Sequence, residues 1–134
     1  MFKSTKIIFV VFFFATILVS AQKSNTITIK VLKVEHSVYT SSLYIDVDIK
    51  NESPNHIDRF FMDIYVYDKN GDYLGRTNNS ILNLGPKKHT IETLYFENIK
   101  YNQIKKWEFS INDVLTIKNK VIEYYKDYTI KLIK

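Results

Sequence analysis

Asp46 and Asp48 are the first residues in this chain whose spacing could do chemistry. Two positions apart on a strand, their carboxylates share one face at about 7 Å, a separation that acid-base catalysis can use. Tyr44 and Lys50 flank them in the same alternation, so the plainer reading is a solvated strand face. Asp68-Lys69-Asn70-Gly71-Asp72 sets oxygen-bearing side chains at alternate positions, as the first half of a calcium loop does. The second half fails, because Tyr73 stands where the sharp turn needs glycine and Asn79 where a bidentate glutamate belongs. Asn70-Gly71 alone accounts for a hairpin turn. His36, His56 and His89 fall in no H-x-H or H-x-x-x-H spacing, so no metal site is expected. The sequence contains no cysteine, no G-x-S-x-G elbow and no glycine-rich phosphate loop. The parts of a hydrolase or transferase are missing, no cofactor is implied, and a small enzyme would need His56 or His89 brought to a carboxylate in a pocket.

The aromatic content is the remaining feature that could act. Ten tyrosines are more than a small core absorbs, and tyrosine joins a large apolar body to a polar tip. Tyr44, Tyr65, Tyr67, Tyr124, Tyr125 and Tyr128 are the candidate binding residues, suited to a protein partner or a glycan. The alternative is that tyrosines decorate the solvent faces of strands, where β propensity favours them, and both readings stay open here. Three coplanar exposed rings in a groove favour a sugar; a flat apolar patch beside an open edge favours a protein.

These residues must be positioned by strands. Lys3 and Lys6, the apolar run from Ile7 to Val19, and Val19-Ser20-Ala21 have the layout of a secretory signal peptide cleaved after Ala21. That run is too short for the roughly 20 residues of a spanning helix, so no stable membrane insertion is expected after cleavage. Residues 22–134 then form a single domain of 113 residues, secreted or periplasmic, held by packing without disulfides. With Lys3 and Lys6 gone, 17 basic residues face 14 acidic ones, and the signs are interleaved; the basic footprint of a nucleic-acid binder is absent.

Ile27, Ile29 and Val31 alternate before the apolar phase shifts to Leu32 and Val34, which predicts a strand with a bulge or one that leaves one sheet for the other. Leu43 to Lys50 reads as a half-buried strand, broken by the polar stretch from Asn51 to His56. Phe60 to Tyr67 is apolar on both faces and belongs in the middle of a sheet. It turns at Asn70-Gly71 into a returning strand, followed by a polar connection over Arg76 to Ser80, a short apolar segment and a turn at Gly85-Pro86-Lys87. Thr90 to Phe96 is a strand of ambiguous inward face. Trp107, Phe109 and Ile111 alternate in the next, with Trp107 expected as the large core anchor. Val121 to Tyr125 and Tyr128 to Ile133 are either a final hairpin turning at Lys126-Asp127 or one long bulged strand. No helical periodicity is sustained after Ala21. The expectation is all-β: an immunoglobulin-like antiparallel sandwich of seven or eight strands.

The run D-V-D-I-K-N-E-S, then F-F-M-D-I-Y-V-Y-D-K-N-G-D-Y-L-G, then L-N-L-G-P-K-K-H-T resembles the FxLYD family of extracytoplasmic immunoglobulin-like domains. Tyr65-Val66-Tyr67-Asp68 stands at that family's Phe/Leu-Tyr-Asp, and Leu84-Gly85-Pro86 inverts its Pro-Gly order. The resemblance spans about Tyr44 to Phe96 and implies an extracytoplasmic immunoglobulin-like domain, with no shared catalytic residues to carry over. Apart from the resemblance, the chain reads as a non-catalytic binding module that meets a protein partner through a tyrosine-bearing sheet face or a free edge strand, the alternative being a carbohydrate- or envelope-binding accessory module.

Overall fold

Alternation of buried and exposed side chains continues through nearly the whole chain, and it is satisfied by two stacked sheets. The structure is a computed structural model that describes the backbone of residues 25–118, 121–124 and 128–134 and the side chains of all of these but 112–124. The strands are β1 (Thr26–His36), β2 (Ser42–Asn51), β3 (Ile57–Tyr67), β4 (Tyr73–Leu84), β5 (His89–Glu97), β6 (Lys106–Lys118), β7 (Val121–Tyr124) and β8 (Thr129–Ile133). One sheet has the order β5-β2-β1-β8, the other β4-β3-β6-β7. All pairs are antiparallel except β1 with β8. Leaving β8 aside, β1-β2-β5 facing β4-β3-β6-β7 is the connectivity of an immunoglobulin-type sandwich with its fourth strand beside the third. The signal-peptide expectation falls on residues outside those described.

The core lies between the sheets. Ile27, Ile29, Leu43, Ile45, Val47, Ile49, Leu94 and Phe96 of the first sheet meet Phe60, Met62, Ile64, Val66, Ile81 and Leu84 of the second, all of them buried. The bulge expected in β1 is present, since the register with β2 shifts between Val31 and Lys33. β3 is central, as its two-sided apolarity predicts. The ambiguity in β5 resolves towards Leu94 and Phe96, and Ile91 is left exposed.

Three expectations are corrected. Arg76 to Ser80 is no connection; it continues β4, pairing residue by residue with β3. At a sheet edge one side of the strand is wet, so a polar sequence is tolerated while the ladder still forms. Trp107 is only half-buried: its indole stacks on Phe109 and meets Phe96 edge-on, each at 6.2 Å, and Phe60 and Phe96 take the fully buried positions. The closing segments are neither a hairpin nor one strand, because β7 pairs with β6 in one sheet and β8 with β1 in the other. Lys126 and Asp127 lie outside the described residues.

Candidate functional site

The loops β1–β2, β3–β4 and β5–β6 gather at one end of the sandwich. In the β1–β2 loop, hydroxyls do the work of a turn: Ser37 Oγ accepts from the Tyr39 amide (3.3 Å), Thr40 Oγ1 donates to Ser42 Oγ (2.9 Å), and Ser37 N–H bonds Ser42 O (2.9 Å). With the backbone satisfied locally, the two tip side chains have nothing to pack on. Val38 is 92% exposed and Tyr39 96%.

The β5–β6 loop, by contrast, is pinned. Asn98 N–H donates to Ser41 O (2.9 Å), Ile99 and Ile104 are buried, and residues Tyr101–Gln103 form a 3₁₀ turn. Gln103 Oε1 accepts from the Lys100 amide (3.0 Å), His36 Nε2 accepts from the Tyr101 amide (3.2 Å), and Lys105 N–H reaches Tyr67 O (2.9 Å). Ile99 seats directly above Gly75, where a Cβ would meet its Cδ1 at 2.4 Å. Between this loop and the β1–β2 hairpin lies a cleft of about 710 Å³ with Val34 and Ile99 among its lining and a rim of His36, Ser41, Asn98 and Lys100. A hollow of about 370 Å³ lies on the other side of the same loop, beside the β3–β4 turn.

The four candidate tyrosines whose side chains are described do not converge on one surface. Tyr44 lies on the outer face of the β5-β2-β1-β8 sheet against Tyr95, centroids 5.4 Å apart and planes inclined by 49°. Tyr65 and Tyr67 are half-buried on the opposite side of the molecule, on the outer face of β3. The Arg76 guanidinium stands 6.0 Å from the Tyr65 ring centroid and Lys106 Nζ 5.3 Å from that of Tyr67, while Tyr73 meets Tyr67 edge-on. Loss of water around the Tyr67 phenol, with Glu108 adding to it, raises its pKa above the ordinary value. Tyr128 is a correction to an exposed binding role: it is 5% exposed, and its hydroxyl lies 3.3 Å from the buried Ser53 Oγ. Tyr124 belongs to β7 with its side chain outside the described residues, and Tyr125 lies outside them altogether. The exposed rings that touch a neighbour are inclined to it, Tyr44 to Tyr95 by 49° and Tyr73 to Tyr67 by 69°.

The acidic pair is divided between separate partners. Asp46 Oδ1 accepts from Thr93 Oγ1 (2.7 Å), and both Asp48 oxygens lie 3.0 Å from His89 Nδ1. A histidine does therefore reach a carboxylate, but on an open sheet face with the His89 side chain 53% exposed. His56 Nε2 stands 3.7 Å from Asp58. In the β3–β4 turn, Asp68 Oδ1 accepts the Asn70 and Asp72 amides (2.8 and 3.0 Å), and Gly71 alone takes a positive φ, +81°; the chain reverses at Asn70-Gly71 as expected, but by a longer loop with glycine in the left-handed position rather than a two-residue turn. No cluster of three or more metal-ligating side chains occurs among the described residues.

Val38 and Tyr39 went unremarked in the sequence pattern. The signal was available: an apolar pair inside S-V-Y-T-S-S, a segment whose hydroxyls favour a turn, has no strand face on which to be buried.

Comparison with known proteins shows the fold alone. No family profile and no curated protein sequence matches the chain. The FxLYD resemblance is thus not shown. Among solved structures, IrmA from Escherichia coli is similar over 81% of this chain and 92% of its own, at a TM-score of 0.56 and 13% identity. A DUF1425 family member from Shewanella sp. pv-4 is similar over 69% of this chain and 81% of its own, at a TM-score of 0.41 and 18% identity.

Proposed function

We propose that this chain is an exported, non-catalytic binding module that meets a protein partner with the loop end of its sandwich. The observation that carries the reading is the hairpin tip, where Val38 and Tyr39 stand almost wholly in water beside a cleft and a rigidly held loop. Exposed large apolar side chains on a firm base are what interface anchors look like, and tyrosine is enriched among them. Among the described residues, His36 lines the cleft with no carboxylate beside it in that lining. The ring inclinations of 49° and 69° in the Tyr44–Tyr95 and Tyr67–Tyr73 pairs do not form a stacking platform for a sugar. Export rests on the basic start, the short apolar run and the small residues ending at Ala21. Among the described residues, no helix is long and apolar enough to cross a membrane.

Capture of envelope and surface proteins by immobilised residues 22–134, compared with the Val38→Ser/Tyr39→Ser variant, tests this. Loss of an interface tyrosine anchor with its neighbour costs about 2 kcal/mol or more, so the specific partner is expected to bind roughly 30-fold more weakly while the melting temperature holds. Equal capture by both proteins would overturn the reading.

A further inference from the structure

The cleft and the smaller hollow are two parts of one track, since Asn102 and Gln103 line both. Its lining charge is net positive, three lysines against one aspartate. Lys100 lines the cleft, Lys69 and Lys105 line the hollow, and none of the three ammonium groups makes an ion pair among the described residues. Asp68 is the one acidic residue lining either part, and its Oδ1 is already taken by two backbone amides of its own turn. Of the neighbouring acids, Glu97 lines a separate hollow with Arg76 and Glu35 is paired with Lys33, which leaves Asp72 beside Asp68 in the turn and three lysines against two carboxylates. Beneath the lysines the lining is apolar, with Val34 and Ile99 on one side and Leu74 on the other. Asn98 and Asn102 place side-chain amides at the rim with no partner among the described residues, the donor and acceptor set that a peptide main chain uses.

From this placement we infer that the track receives an extended acidic segment of the protein partner, its carboxylates on Lys69, Lys100 and Lys105 and its apolar side chains on Val34, Ile99 and Leu74. The inference rests on the protein-binding reading above and names the chemistry of what is bound. Lysine fits this role as a mobile point charge that tolerates varied carboxylate positions. Opposed charges at a rim act on encounter and selectivity more than on the depth of binding.

The probe is a fluorescent peptide alternating glutamate with leucine, set against its lysine counterpart and a sulfated polysaccharide, and titrated into residues 22–134. The glutamate peptide is expected to bind, more weakly as salt rises, and the lysine peptide not to bind. Lys69→Glu/Lys100→Glu/Lys105→Glu is expected to lower its affinity at least about tenfold, with the melting temperature unchanged. The milder Lys69→Gln/Lys100→Gln/Lys105→Gln gives a smaller loss in the same direction. A control on another face, Lys30→Glu, leaves binding as it was. Equal binding of both peptides, indifference to the lysine variants, or preference for the polysaccharide overturns the acidic-segment assignment. Failure here is separable from failure of the wider reading: if Val38→Ser/Tyr39→Ser still abolishes capture of a protein that the lysine variants retain, the module binds a protein but not through an acidic segment.

Discussion

Asn51 is fully buried at the end of the sandwich opposite the loops described above, and its side chain ties three segments together. Its Nδ2 donates to Asn55 O (2.8 Å), Leu84 O (3.0 Å) and Gly85 O (3.2 Å), while Oδ1 accepts from Ser53 N (3.0 Å) and Ser53 Oγ (2.6 Å). Tyr128 joins the same network through Ser53. Outside it, Lys50 at 3.0 Å and Lys87 at 3.6 Å hold the Glu52 carboxyl below its ordinary pKa, the Lys50 hydrogen bond foremost. Replacing Asn51 with alanine orphans buried carbonyls, an amide and a hydroxyl at once, so Asn51→Ala is expected to lower stability by about 2–4 kcal/mol. Urea unfolding of the variant measures it, and a midpoint within error of the parent's would show that water replaces the network. The sequence marks Asn51 to His56 and Gly85 to Lys87 as two separate turns. That one amide joins them was not legible, because its partners are mainly main-chain carbonyls, which carry no residue signature. Tyr128 misleads for a related reason: a phenol looks destined for water, yet a buried serine can satisfy it as well.

Among the elements, those with period-two alternation were readable. The half-buried β2, the central β3 and the bulge in β1 all stand where side-chain pattern puts them. Where alternation carries no apolar signal the reading failed, as in β4, whose ladder is made by backbone groups that any sequence possesses. The β5–β6 loop was equally opaque, since its rigidity comes from a contact between residues distant in sequence. Ile99 fills the space over Gly75, and a methyl at 75 meets Ile99 Cδ1 at 2.4 Å. Gly75→Ala therefore forces the isoleucine aside and is expected to cost about 1–3 kcal/mol. Ile99→Val removes the clashing carbon, leaving the next contact at 3.7 Å. The double variant should lose less than the two single losses added together, by about 0.5 kcal/mol or more. Strict additivity in a double-mutant cycle would mean that loop and strand are not in register as described.

At the scale of the whole molecule, the first and last strands are neighbours. β8 lies parallel to β1 from Thr26↔Thr129 to Lys30↔Ile133, and Ile130 packs against the core opposite Ile27 on the shared ladder. Without cysteine, nothing covalent fastens this closure. The sandwich is complete only when the C-terminal residues arrive, and pairings of such long separation form slowly. Removing Thr129 to Lys134 strips β1 of its outer partner, uncovers the flanks of Ile27 and Ile29, and leaves a bare apolar edge. The half-buried Ile130 and five residues of ladder together are worth roughly 2–4 kcal/mol. The shortened chain is expected to unfold at a lower urea concentration and to self-associate as its concentration rises, read by light scattering. If instead it matches the full chain in midpoint and stays monomeric, β8 is a passenger on the sheet, and the stability of this crosslink-free fold resides wholly in the seven strands before it.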